Sequence, residues 1–247
     1  MKVALCLSGQ PRVVDVGFHK LSQSILQHNS DVDVFIHTWF DPENLSTNSV
    51  IPGRECHQLD SNAIDKLIHY YDPKKIMVEK PKKWTRKYDF PDKVFTHAHT
   101  WALEVPSGLE VAKDYICDTT SSMFYSIMMA NLLKEQYIAE NDVEYDLVIR
   151  NRIDYSPHVV LKLDEVSIND DDLIYQDLYQ PDDMISDWFA MGSSNTINVF
   201  CGVYNQIGQL IRQSNEIDGY WCNELLLKHH MANNNIKRNP VDFQVHY

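Results

Sequence analysis

The chain has 247 residues, 44% of them hydrophobic and 23% charged, which suits one large globular domain or two small ones and excludes a disordered polymer. Its 35 acidic and 22 basic residues leave a formal charge of −13, which excludes broad nucleic-acid binding, since neutralising phosphates needs an excess of Lys and Arg. The five cysteines are odd in number and widely spaced, with no C-x-x-C pair, so reduced thiols are expected rather than a disulfide framework or a zinc site.

The opening MKVALCLSGQPR carries one Lys and one short apolar run. That run is too short for a signal-peptide core or a bilayer span, so a cytoplasmic protein without a transmembrane segment is expected. Residues 3–7 predict a first buried strand, ended by Ser8-Gly9-Gln10-Pro11-Arg12. Apolar residues then recur at helical spacing over 13–26, and 32–36 predict a second strand running into His37-Thr38-Trp39. Strand, turn, helix and strand in that order open a parallel α/β sheet.

Residues 41–58 are polar and hold Pro42, Pro52 and Gly53, the signature of a loop. A helix is predicted over 63–71, capped by Ser61 or Asn62, and a third strand over 75–78. The stretch around 80–118, rich in Lys, Pro, His and Trp, reads as an acceptor-side insertion or as a plain one. The broad apolar face of 121–140 predicts the clearest helix. Strands follow at 145–149, 173–175 and 188–191, helices at 196–213 and 220–233, and a last strand at 241–245. The whole reads as a single α/β domain, 1–247, with a mixed, mainly parallel sheet flanked by helices.

Three segments carry chemistry-bearing side chains. Ser8-Gly9-Gln10-Pro11-Arg12 lies at the carboxyl end of the first strand, where open α/β sheets bind ligands. Backbone N–H groups there suit a phosphate, and Arg12 can fork onto one; an ordinary strand-to-helix turn has the same spacing. In Arg150-Asn151-Arg152-Ile153-Asp154, alternation puts Arg150, Arg152 and Asp154 on one side of an extended chain. That trio suits a diphosphate leaving group, or equally a structural Arg–Asp ion pair. In the third, Ile185 to Ser194, Asp187 precedes an aromatic strand and can bind hydroxyls or cap a turn; outside these three segments, Glu224 stands in the first turn of a late helix. There it is either a general base or a complement to the helix dipole. Trp39 and Trp188 are the aromatics nearest these segments, and the histidines have no spacing that suggests a metal site.

Taken in order, ALCLSGQPR, DVFIHTW, MFYSI, YDLVIRNRID, SDWFAMGSS and NELLLKHHMANNNIK resemble a family of glycosyltransferases found in bacterial surface-polysaccharide loci and in viruses. The match spans nearly the whole chain except about 41–118. It implies a GT-A-like, Rossmann-related fold and transfer of a sugar from a nucleotide-diphosphate sugar to a hydroxyl of a glycan or lipid-linked glycan. The resemblance carries donor binding onto Ser8, Gly9, Arg12, His37, Thr38, Trp39, Tyr125, Ser126, Arg150, Arg152 and Asp154. The last three fall where GT-A enzymes hold Mn²⁺ or Mg²⁺ with a D-x-D motif. Here R-N-R-I-D keeps one acid, so either Asp154 holds the ion with water completing its shell, or the arginines replace part of its charge. An inverting displacement is expected, with Glu224 as base and Asp187 as the alternative. Two other readings share these features: a sulfotransferase-type enzyme, and a non-catalytic carbohydrate- or nucleotide-binding module.

Overall fold

The computed structural model describes residues 1–46, 58–85, 109–157, 159–175 and 184–240. In chain order its elements are β1 (Val3–Gly9), α1 (Val14–Ser24), β2 (Val32–Trp39), α2 (Ala63–Tyr71), β3 (Lys75–Glu79) and α3 (Leu109–Asn141). They continue with β4 (Leu147–Arg152), β5 (Asp172–Tyr175), β6 (Phe189–Gly192), α4 (Ser194–Cys201), α5 (Ile207–Ile217), α6 (Asn223–Asn233) and β7 (Lys237–Pro240). The strands form one seven-stranded sheet in the order β3-β2-β1-β4-β6-β5-β7. Strands β1, β2, β3 and β4 are mutually parallel; β6 runs antiparallel to both β4 and β5, and β7 is parallel to β5. The chain is thus an α/β domain with a mixed, mostly parallel sheet flanked by helices.

Strand alternation divides the core in two. Ala4, Cys6, Phe35, Val148 and Ala190 face α3 and the C-terminal helices, where Phe124, Ile127, Phe200 and Leu226 close over them. Val3, Leu5, Leu7, Val34, Ile36, Leu147 and Ile149 face the opposite way, under Leu21 of α1 and Leu67 of α2. Burial on both faces is why the central strands read as continuous apolar runs rather than alternating ones. Phe35 and Phe124 are wholly enclosed, each worth about 1.5–3 kcal/mol in apolar surface withdrawn from water.

Two close approaches fix how α1 sits on the sheet. A Cβ on Gly17 would lie 2.5 Å from the carbonyl oxygen of Ile153, so only glycine lets the helix pack this closely on the turn after β4. Val13, just ahead of α1, has φ 42°, a left-handed conformation that a β-branched side chain adopts at a cost.

The predicted elements differ from the observed ones in length and number. The helix expected over 121–140 is the second half of α3, extended N-terminally through the buried Ile116 and Cys117. The helix expected over 196–213 is broken into α4, a 3₁₀ turn (Gly202–Gln206) and α5. The strand expected over 241–245 lies outside the described residues, as does 86–108 of the expected insertion; residues 109–118 of that insertion belong to α3. Cys6, Cys117, Cys201 and Cys222 are free thiols. Among the described residues, no helix is long and apolar enough to cross a membrane.

Candidate functional site

The sheet order reverses direction between β1 and β4, with β2 on one side and β4 on the other. At such a switch point the two connecting loops part and leave a crevice at the carboxyl ends of the strands. Register aligns Ser8 of β1 with His37 of β2 and with Arg152 of β4, which puts all three in one row at that edge. Their parity is that of Cys6, Phe35 and Val148, so the row lies on the face covered by α3.

A directed chain of hydrogen bonds holds the β1 end. Glu79 ends β3 and accepts from His37 Nε2 at 3.0 Å, and a carboxylate can only accept, so Nε2 carries a proton. Burial pushes the His37 pKa down, against the opposing pull of Glu79, which leaves the ring neutral and Nδ1 an acceptor. Ser126 Oγ therefore donates to Nδ1 at 2.8 Å and accepts from the Gly9 backbone N–H at 3.0 Å. Thr38 Oγ1 adds a bond to the Gly9 carbonyl at 2.9 Å. Gly9 has φ 119°, open to glycine and strained for other residues. His37, Thr38 and Ser126 are buried, and what their hydrogen bonds hold in place is the Gly9 backbone at the end of β1. Arg12, half-buried beyond this turn, is held by Gln10 Oε1 at 3.1 Å.

Aromatic side chains gather beside His37. Trp39 stacks on Tyr125 with ring centres 5.5 Å apart, Trp84 meets Trp39 edge-on at 5.6 Å, and Tyr204 meets Tyr125 at 5.3 Å. The Lys82 ammonium lies 4.6 Å from the Tyr125 ring centre and pairs with Glu79 at 2.5 Å. Trp84 is tied down by its N–H to Asp118 at 2.6 Å and its indole N–H to Tyr204 at 3.1 Å.

On the other side of the switch point stand the arginines and acids. Arg150 is 1% exposed; its Nη1 donates to the Asp187 carbonyl oxygen, its Nη2 to Ser8 Oγ at 3.3 Å, and its Nε has no partner. Desolvation lowers its pKa to about 10, opposed by Asp187, so it stays charged at neutral pH. Asp187 is 5% exposed. One of its oxygens takes a long bond of 3.4 Å from Asn223 and the other, Oδ1, has no partner. Burial, and then the charge of Glu224, push the Asp187 pKa up to about 6 despite Arg150 and Arg152. Asn223 opens α6 and is held by Thr120 Oγ1 at 3.0 Å; Glu224 follows it in the first helical turn.

Arg152 leaves the strand half-exposed. It grips Asp154 through Nε and Nη2, both at 2.9 Å, and its guanidinium lies 5.1 Å from the ring centre of the exposed Trp188. The Arg–Asp ion pair that the sequence left open is thus formed by Arg152 and Asp154, while Arg150 turns inward to Asp187. As folded, this donor set does not suit the divalent ion that the resemblance implies. Both Asp154 oxygens are engaged by a guanidinium, and no group of three or more His, Cys, Asp or Glu capable of holding a metal stands among the described residues.

Of the residues singled out from the sequence, Ser8, Gly9, His37, Thr38, Trp39, Arg150 and Arg152 belong to β1, β2 and β4, Arg12 and Asp154 to the chain after β1 and β4, Asp187 and Trp188 to the chain entering β6, and Tyr125, Ser126 and Glu224 to α3 and α6. Sequence reasoning missed Glu79, Lys82, Trp84, Thr120, Tyr204 and Asn223. For Glu79 a signal existed, since it is the last residue of a parallel strand; the others reach the site only through tertiary packing. The chain matches no family model and no curated protein.

Proposed function

We propose that the protein is a cytoplasmic glycosyltransferase with a GT-A-like fold, which moves a sugar from a nucleotide-diphosphate sugar to a hydroxyl of a glycan or lipid-linked glycan. One observation carries the reading: arginines and two neighbouring acids converge at the switch-point crevice of a mainly parallel sheet, as charge separation from a diphosphate leaving group requires. The free thiols support a reducing compartment.

In this reaction the acceptor oxygen attacks the anomeric carbon while the bond from that carbon to the phosphate oxygen breaks. Glu224 takes the hydroxyl proton, and the electron pair of the broken bond leaves with the diphosphate. The half-exposed Arg12 and Arg152 meet that charge, with the buried Arg150 adding its field from behind. Guanidinium groups suit this task because they stay charged and present a planar donor fork. Glu224 serves as base from the start of α6, close enough to Asp187 to raise its pKa. No step passes through a metal ion.

The test is a thermal-shift screen against nucleotide diphosphates, sugar nucleotides and adenosine 3′,5′-bisphosphate, each with and without Mn²⁺. A ligand at 100 times its dissociation constant adds about 2.7 kcal/mol of stability. Selective stabilisation by one nucleotide diphosphate and its sugar nucleotide supports the transferase and names the base. A response to the adenosine bisphosphate alone moves the assignment to a sulfotransferase, and silence across the panel leaves a binding module.

A further inference from the structure

Nine large apolar side chains stand exposed among the described residues, and four of them share one side of the molecule. Val13, Val16, Val160 and Trp188 are each between 42% and 54% exposed. Val13 and Val16 begin a stripe that Lys20 and Gln23 continue along α1, at the spacing of one helix face. Both ends of the stripe border the chain after β4. At its start, the Gly17 N–H bonds the Val13 carbonyl at 2.9 Å, and a Cβ on Gly17 would lie 3.6 Å from Asp154 Cα. Asp154 is gripped by Arg152, whose guanidinium lies against the Trp188 ring. At its end, Lys20 and Gln23 line a cavity of about 230 Å³ with Pro157, Val159 and Val160.

The left-handed Val13 has neither a backbone preference nor burial in its favour, and an apolar surrounding would supply the second. The charges beside the stripe are one-sided. Lys20 has no acidic partner among the described residues, and Arg12 is held only by the neutral Gln10. The nearby acids are engaged, Asp15 by Lys66 and Tyr70 and Asp154 by Arg152. A chain of charge −13 thus carries a locally basic apolar strip, and beyond about 8 Å physiological salt screens the acidic remainder. A protein partner fits less well: four half-exposed side chains make a patch of a few hundred Å² at most, against roughly 800 Å² per partner in a stable interface.

We infer that the face formed by Val13, Val16, Lys20, Val160 and Trp188 docks on an anionic lipid surface. The valines and the Trp188 ring enter the headgroup region, as interfacial aromatic and aliphatic side chains do. Lys20 lays its stem along them and keeps its ammonium on the lipid phosphates, and Arg12 adds a second cation. Because Arg12 and Trp188 also border the crevice, docking brings its mouth to the lipid. The inference rests on this surface and not on the transferase reading.

The experiment sediments the intact protein with vesicles of phosphatidylcholine alone, and of phosphatidylcholine with phosphatidylglycerol at about 3:1, without donor or acceptor. The wild type should co-sediment with the mixed vesicles, stay in solution with the neutral ones, and be released by added salt. Lys20→Gln should weaken the partition about 5-fold, the share of one cation near an anionic surface. Val13→Asn combined with Val16→Gln should weaken it about 10-fold, for the apolar area lost. Asn suits the left-handed backbone and Gln the helix, so this variant keeps its fold, which its unfolding midpoint checks. Ile217→Gln, exposed on α5 across the sheet from α1, should bind as the wild type does. The inference is overturned if the wild type does not co-sediment, if it binds both vesicle types equally, or if the stripe variants bind as tightly as it does. A wild type that is dimeric without vesicles, and made monomeric by Val13→Asn with Val16→Gln, would give the stripe to a second copy and overturn it too. With no donor or acceptor present, none of these outcomes bears on the transferase reading.

Discussion

Arg152 closes on Asp154 through two parallel hydrogen bonds of 2.9 Å, so the one acid left in the R-N-R-I-D segment is already neutralised by its own chain. Bidentate Arg–carboxylate pairs of this kind are among the stronger ion pairs. A divalent cation at Asp154 would have to displace the guanidinium. The Mn²⁺ electron paramagnetic resonance signal, recorded without nucleotide, should therefore be unchanged on adding the protein. Broadening that disappears in Asp154→Asn would show that the fork opens for the ion.

Glu224 and Asp187 should separate by role. Glu224→Gln is expected to lower the transfer rate by about 10²–10⁴-fold, the range for a lost general base, with donor binding unchanged. Asp187→Asn, which alters a buried acid beside the proposed base rather than the base itself, should instead keep most of the transfer rate. Transfer kinetics against donor concentration, run on both variants, tell the two apart; the reverse pattern would exchange their assignments.

The His37 chain predicts acid sensitivity. Burial lowers the folded-state pKa of His37 below its ordinary 6.5, so the unfolded chain takes up the proton first as pH falls. The stabilisation from keeping the ring neutral is present above about pH 6.5 and lost as pH drops toward the folded value. His230 is lowered by the same cause and contributes with the same sign. The unfolding midpoint of His37→Gln should fall less between about pH 7 and pH 5 than that of the wild type, and an equal fall would mean that His37 is not the titrating group.

Asp187 works in the opposite direction. Its folded pKa of about 6 exceeds the ordinary 3.8, so the folded state binds the proton first. The associated stability is present below about pH 3.8 and lost as pH rises through about 6. The unfolding midpoint of Asp187→Asn should therefore gain on the wild type as pH increases from about 4 to 7. A constant difference would contradict the raised pKa.

Two glycines with opposite surroundings make a packing test. Gly17→Ala drives a methyl onto the Ile153 carbonyl at 2.5 Å, so α1 must lift; a loss of about 1–3 kcal/mol is expected, as for overpacked sites. Gly202 has φ −75°, and a Cβ there would meet His230 at 3.6 Å, an ordinary contact. Gly202→Ala should leave stability unchanged or raise it by about 0.4–1 kcal/mol. Chemical denaturation of the two variants compares them directly.

The parallel half of the sheet was legible because burial on both faces writes an apolar run into the sequence, as in 3–7 and 32–36, and α2 was read to the residue for its strong amphipathic pattern and flanking turn residues. The start of α3 was not legible, since 109–120 carries Lys113, Asp114 and Asp118 among its apolar residues. The single helix expected over 196–213 failed because its apolar residues keep helical spacing through Gly202, where the backbone tightens to a 3₁₀ turn. At the site, Arg150 and Arg152 were expected to act alike, being two apart on a strand. Depth along the strand separates them: Arg150 lies under the helices and Arg152 at the strand end. The pairings of Glu79 with His37 and of Trp84 with Tyr204 depend on the sheet order and on the fold-back of 80–85, which no local pattern encodes.

Because β6 runs against its neighbour β4, it meets the crevice with its beginning, whereas β1, β2 and β4 meet it with their ends. Asp187 and Trp188 accordingly stand before their strand, and Gly192, at its finish, lies at the far margin of the sheet. A change of length in the chain entering β6 alters what the crevice admits. The same change after Gly192 falls on the opposite rim and leaves the crevice untouched. Remodelling of ligand choice therefore has a direction along the chain at this strand, upstream rather than downstream, opposite to the direction at every other strand that lines the crevice.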